Sequence, residues 1–139
     1  MEQAGLARST ALSSSTCRAI KVPPERVREA WDKAREHIRR AVEGKTATGE
    51  VYLEDVYVRL LTGAADLWLI YAGDSVVAAF VTQVVVYERT PVLLVPYVGG
   101  DDLDGWGHLI EDVMAEARAK GCRQVELLAR KGWARVFSH

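Results

Sequence analysis

The sequence predicts an α+β fold in which helices flank a mixed, mostly antiparallel sheet. Segments rich in Val, Ile, Tyr and Phe are separated by the short turns GD and RTP, which predicts an antiparallel meander. Two segments before the meander and one after it repeat apolar residues every three or four positions, as helices do. A last apolar segment follows the third helix, and a strand reached through a helix can lie parallel to its neighbour. The predicted order is β-α-α-β-β-β-α-β.

One strand and two helices precede the meander. The weakly alternating segment Cys17–Val22 predicts the strand. Two prolines open the first helix, and Gly44 fits its end. The second helix lies in VYLEDVYVRLLTG, where Gly63 occupies the position of a C-terminal cap. The buried stripe predicted for the first helix consists of Val27, Ala30, Trp31, Ala34, Ile38, Ala41 and Val42.

The meander consists of three strands, and a fifth strand follows the third helix. We place the three at Asp66–Ala72, Ser75–Glu88 and Val92–Val98, and the middle one is long enough to need a bulge. The third helix lies in DGWGHLIEDVMAEARAKG, and CRQVELLA is the fifth strand. The closing segment RKGWARVFSH predicts the start of another helix.

Length and composition indicate one globular domain. We expect the small, polar residues 1–16 to be flexible and residues 17–139 to form the domain. The net charge of −1 gives no indication of nucleic acid or a membrane surface as a partner. The apolar runs are far shorter than the ~20 residues that cross a bilayer, and no secretory signal is evident. We therefore expect a cytoplasmic protein in which Cys17 and Cys122 are reduced thiols.

Four segments carry a resemblance to a known family: DLWLIYAGD, VVVYERTPVLLV, GGDDLDGWGHLIEDVMAEARAKGC and VELLARKGWARVF. In order and spacing the chain resembles the GNAT family, the Gcn5-related N-acetyltransferases, and in particular GNAT-like proteins of phages and prophages. In that family acetyl-CoA lies where the fourth strand diverges from the fifth, and its pyrophosphate rests on a loop resembling Q/R-x-x-G-x-G/A. The cofactor-binding residues that the resemblance implies are Val98, Gly99, Gly100, Gly105 and Gly107.

The candidate phosphate loop is acidic. Asp102 stands where the family has Gln or Arg, and Asp101 and Asp104 flank it. A carboxylate within ~5 Å of a pyrophosphate costs about 1 kcal/mol or more at an effective dielectric constant of ~20–80. The same side chains are suited to cap and charge a helix N-terminus. Two interpretations remain open: the aspartates cap the helix and no cofactor binds, or backbone amides alone hold acetyl-CoA.

Catalytic candidates are few. The resemblance implies a Glu in the central strands as the base and a Tyr in the last helix, and that helix offers no Tyr. We name Glu88 and Tyr97 as candidates, against the simpler interpretations of a solvated turn residue and a packed strand residue. His37, His108 and His139 show no metal-ligand spacing, so we predict no metal site. His108 is a weaker candidate because it lies near the phosphate loop.

Members of the family usually continue beyond a stretch such as GWARVF into two more strands. This sequence ends there, so we expect a domain that lacks the last two strands and exposes its fifth strand at a sheet edge. An apolar, uncovered edge pairs readily with another chain, which predicts a homodimer through the fifth strand.

Two functions follow from these residues. The first is a phage- or prophage-type protein with a degenerate acetyl-CoA site, which acts through assembly or protein contacts with phage structural proteins, in the host cytoplasm or the virion. The alternative is an active acetyl-CoA-dependent N-acetyltransferase. Nucleic-acid binding through the basic C-terminal segment is disfavoured by the near-neutral charge.

Overall fold

A computed structural model describes residues 17–45, 52–100, 109–127 and 135–138. The predicted order β-α-α-β-β-β-α-β is confirmed, and a sixth strand follows it. The helices and strands are β1 (Cys17–Val22), α1 (Val27–Lys45), α2 (Leu53–Thr62), β2 (Asp66–Ala72), β3 (Ser75–Tyr87), β4 (Thr90–Gly100), α3 (Leu109–Ala119), β5 (Gln124–Leu127) and β6 (Arg135–Ser138). A short 3-10 helix, Pro24–Arg26, leads into α1, as its two prolines favour.

The six strands form one sheet in the order β1-β2-β3-β4-β5-β6. Neighbouring strands are antiparallel except β4 and β5, which pair in parallel at Leu93–Val95. Helix α3 makes the crossover between those two strands, as the sequence predicts. The sheet is therefore mixed and mostly antiparallel, and the predicted α+β class is confirmed.

The end of the chain differs from the prediction. Arg135–Ser138 forms a strand where we expected a helix, and it pairs antiparallel with Gln124–Leu127. The segment RVFS contains a β-branched and an aromatic residue, and pairing with β5 satisfies backbone groups that would otherwise lack partners. The fifth strand is thus not a sheet edge, which removes the reason to expect a homodimer through it, although dimerisation itself stays a prediction.

Two hydrophobic clusters cover the two faces of the sheet. One packs under α3 and contains Trp68, Ile70, Ala78, Phe80, Leu93, Val95, Val98, Leu109, Val113, Met114, Ala117, Cys122 and Val125. The other packs under α1 and α2 and contains Val22, Val27, Ala34, Ile38, Val42, Val56, Leu60, Ala65, Leu67, Leu69, Ala79, Val81 and Tyr97. In the part of the chain that the structure describes, no helix is both long enough and apolar enough to cross a membrane.

Helix α2 ends as the sequence predicts. Gly63 adopts a left-handed conformation (φ 82°), and its N–H donates to the Leu60 carbonyl. That conformation favours glycine because it has no Cβ. The two helices on this face are joined by stacked rings of Trp31 and Tyr57, whose centroids lie 4.7 Å apart.

A cluster of four charges attaches the end of α3 to β1 and β2. Lys21 Nζ donates to Glu116 Oε2 at 2.7 Å, and Lys120 Nζ donates to Asp66 Oδ2 at 2.9 Å. Lys120 also lies 3.4 Å from Glu116, and Lys21 lies 4.0 Å from Asp66. Positive and negative groups therefore alternate around the cluster, and each of the two largely buried carboxylates lies near two ammonium groups.

We expect the contribution of Lys120 to disappear at alkaline pH. The pKa of Lys120 is raised, mainly by its hydrogen bond to Asp66 and further by the charges of both carboxylates. A raised pKa means that the stabilisation is complete below the ordinary lysine value of about 10.4 and is lost as pH rises through the folded-state value. Lys120→Gln should lower the free energy of unfolding by at most about 1 kcal/mol at pH 7, because the pair is partly solvated.

The contribution of Lys120 is measured by urea unfolding of the wild type and of Lys120→Gln from pH 7 to 11. The difference between the two proteins should be constant to about pH 10 and then shrink. Arg118→Gln, on an exposed turn of the same helix, is the control and should show no such dependence. A difference that grows with pH would contradict the assignment.

Candidate functional site

A bulge in β4 shapes the centre of the sheet. Gln83 of β3 pairs with Leu94 of β4, but two residues earlier in β3, Val81 pairs with Tyr97. Two steps along β3 thus correspond to three along β4, so β4 carries one extra residue opposite Thr82. The extra residue falls at Val95–Pro96, and proline has no N–H to offer the ladder.

The faces of the sheet on which the β4 side chains lie show the same bulge. Leu93 and Val95 belong to the cluster under α3, but the next β4 residue on that face is Val98, three positions on. Tyr97 lies on the opposite face, under α1 and α2. An unbroken strand alternates every two residues, so the interruption lies between Val95 and Tyr97.

Opposite the bulge, a buried polar contact fixes β3. Thr82 is fully buried, and its Oγ1 accepts a hydrogen bond of 3.1 Å from Trp68 Nε1. The Trp68 ring also stacks on Phe80, with the centroids 5.3 Å apart. The β3 residue opposite the bulge is therefore held in place by its own contacts, and the extra residue lies in β4.

Beyond the bulge, one half of β4 has no second strand partner among the described residues. Among the described residues, the parallel pairing with β5 covers Leu93–Val95. Residues 97–100, the open half of β4, pair with β3 on one side and with no described strand on the other. Their outward backbone groups can therefore bind a ligand that carries amide donors and acceptors.

Two glycines allow this end of β4 to pack closely on α1 and β3. A Cβ on Gly99 would lie 1.9 Å from the His37 carbonyl oxygen, so α1 packs directly on the strand backbone there. Gly100 has φ 154°, and a Cβ on it would lie 2.3 Å from Ala78 Cβ. Both positions require glycine for packing within the chain.

The predicted cofactor residues are only partly within the structure. Val98, Gly99 and Gly100 lie together on the open half of β4, which is consistent with their predicted position but does not test binding. Gly105 and Gly107 lie outside the described residues. The same is true of Asp101, Asp102, Asp104, His108 and His139.

The two catalytic candidates are not brought together. Glu88 is exposed in the two-residue turn between β3 and β4, with φ 49°. That turn lies at the opposite end of β4 from Gly99, about 30 Å away at the rise of a strand. Tyr97 is at the correct end but is only 6% exposed and packs among the apolar residues under α1 and α2.

His37 is a polar residue at this site whose role the sequence did not indicate. Its carbonyl lies against Gly99, and its side chain is half-buried. Its Nδ1 lies 3.1 Å from Arg40 Nη2, within hydrogen-bond distance of a guanidinium that can only donate. Nothing in the sequence relates His37 to Gly99, because the two residues are far apart along the chain and meet only when α1 packs on β4.

The described residues contain no metal site, and the thiol of Cys122 is not activated. No group of three or more His, Cys, Asp or Glu side chains among them could hold a metal ion. Neither Cys17 nor Cys122 forms a disulfide. Burial raises the pKa of the Cys122 thiol, which keeps it protonated and unreactive at neutral pH.

The fold of the described chain matches that of solved acetyltransferases. A GNAT family acetyltransferase from Brucella melitensis in complex with acetyl-CoA superposes with a TM-score of 0.61 at 17% identity, covering 84% of this chain and 78% of that one. The chain has the GNAT acetyltransferase fold. At this identity the likeness establishes the fold alone.

Two other structures show the same GNAT fold. An aminoglycoside acetyltransferase from an uncultured soil metagenomic sample matches with a TM-score of 0.60 at 14% identity, covering 85% of this chain and 80% of that one. A predicted acetyltransferase with acetyl-CoA from Clostridium acetobutylicum matches with a TM-score of 0.59 at 9% identity, covering 84% and 83%. No protein-family model and no curated protein matches the sequence.

Proposed function

We propose that the protein binds acetyl-CoA along the open half of β4 and transfers the acetyl group to an amine. The observation that carries this proposal is the extra residue of β4 at Val95–Pro96, beyond which residues 97–100 have a strand partner among the described residues only on the β3 side. Two of the similar structures, from Brucella melitensis and Clostridium acetobutylicum, contain acetyl-CoA.

The residues of the open half fit the cofactor chemically. The pantetheine arm of coenzyme A carries amide groups, which can pair with strand backbone as a peptide does. Val98 would hold the arm through its backbone while its side chain stays in the core under α3. Acetyl-CoA, when bound, supplies a thioester that an amine can attack.

The proposal is tested by titrating acetyl-CoA into the protein and following its melting temperature. At a hundred times the dissociation constant, a ligand of the native state adds about 2.7 kcal/mol, which is a shift of about 10 °C for a domain of this size. Adenosine 3′,5′-bisphosphate, which lacks the pantetheine arm, is the control and should give a smaller shift. Release of free CoA thiol in the presence of simple primary amines then measures transfer.

No shift at millimolar acetyl-CoA would overturn the proposal. It would favour the second candidate function, a phage- or prophage-type assembly protein whose cofactor site is degenerate and which acts in the host cytoplasm or the virion. The carboxylates of Asp101, Asp102 and Asp104 favour this second function, because they repel a pyrophosphate. If the Asp102→Arg variant then binds acetyl-CoA, the negative charge of Asp102 is what prevents binding in the wild type.

A further inference from the structure

A groove of about 390 Å³ lies between β1 and the first turns of α1, at the opposite edge of the sheet from β6. Its floor is apolar and is formed by Ile20, Leu69 and Tyr71. Its wall is the side of α1 that carries Ala30 and Lys33. Ile20 is 40% exposed, so apolar surface is accessible in the groove.

Two cations stand over the aromatic part of this floor. The guanidinium carbon of Arg18 lies 5.1 Å from the centroid of the Tyr71 ring, and Lys33 Nζ lies 5.9 Å from it. Neither cation has an ion pair with another described residue. Arg26 and Glu29, which also line the groove, pair with each other at 3.3 Å. Among the described residues, the groove therefore carries two cations without an ion pair beside an apolar surface.

The strand beside the groove has an open edge. Among the described residues β1 pairs only with β2, so every second residue of β1 directs its N–H and C=O away from the sheet. Arg18 and Ile20 lie on the face that looks toward α1, opposite Tyr71 and Leu69 in the ladder. Lys21 points to the other face, where it pairs with Glu116.

We propose that an extended, acidic segment of a protein partner adds to β1 as a further strand and fills this groove. Its backbone would pair with the open edge of β1, as in other strand-addition complexes. Side chains two positions apart on the added strand share one face. An acidic residue would therefore lie by Arg18 and Lys33, and an apolar residue two positions away would lie on Ile20.

The binding test uses a fluorescein-labelled peptide, TETVTETV, and measures fluorescence anisotropy with the full chain. The matched peptide TKTVTKTV, with lysine in place of glutamate, should bind at least tenfold more weakly. Lys33→Glu should weaken binding of the acidic peptide at least tenfold, whereas Arg28→Glu, an exposed position of α1 outside the groove, should change it less than twofold. Equal binding of both peptides, or no effect of Lys33→Glu, would overturn the proposal.

Hydrogen exchange locates the peptide. Its addition should slow exchange at alternate amides of β1 and leave those of β6 unchanged. Protection of β1 that rises with protein concentration in the absence of peptide would show that a second copy occupies the edge, and would overturn the proposal. The proposal does not depend on acetyl transfer, so a failed acetyl-CoA titration leaves it standing.

Discussion

Gly99→Ala is expected to destabilise the protein by on the order of 3 kcal/mol or more. The new Cβ would lie 1.9 Å from the His37 carbonyl oxygen and 2.8 Å from its carbonyl carbon. Both atoms belong to the backbone of α1, so no side-chain rotation can relieve the overlap and the whole helix must move from the sheet. A loss of this size is a large fraction of the roughly 5–15 kcal/mol that holds a typical domain together.

Gly73→Ala is the matched control for this substitution. Gly73 also gains a Cβ and has φ 62°, but nothing lies within 4 Å of that Cβ. Its cost should be about 1 kcal/mol, from the left-handed backbone alone. Urea unfolding of the two variants measures the difference. If Gly99→Ala were no more destabilising than Gly73→Ala, α1 would not pack on β4 at this point.

Deletion of Pro96 is expected to leave the fold intact and to weaken acetyl-CoA binding at least tenfold. Without Pro96, Val95 would oppose Thr82, and the pairs of Leu94 and Tyr97 with β3 would form one regular ladder. The strand would then lose the local bend and the added twist that a bulge imposes. Under the proposed function, the edge that holds the cofactor would be closed.

The deletion spares both cores for a specific reason. Leu93 and Val95 face α3, so after the deletion Tyr97 and Val98 fall on the faces that they already occupy. Removing a residue elsewhere in β4 would turn all following side chains to the wrong face. The melting temperature and acetyl-CoA titration of the deletion, beside Pro96→Ala, separate folding from binding. Pro96→Ala keeps the bulge and should keep the affinity, and a deletion variant that binds as well as wild type would refute the role of the bulge.

The sequence determined the elements that depend on local patterns. The strands Cys17–Val22 and Asp66–Ala72 have the predicted bounds, and Gly63 ends α2 as expected. The bulge predicted for the long third strand is also present, since β3 carries one extra residue near Val77 opposite Ile70 and Tyr71. Side-chain periodicity, turn residues and helix caps are set by neighbours in the chain, so they can be read without knowing the contacts.

Only the tertiary structure decided how distant segments meet. The second bulge, in β4, exists because of its pairing with β3, and α1 reaches Gly99 only when it packs on the sheet. The segment Arg135–Ser138 forms β6 because it can pair with β5. Glu88 and Tyr97 lie near each other in sequence, yet a strand carries them to opposite ends of the sheet. Strand partners and close backbone approaches are non-local, and a single sequence carries no local signal for them.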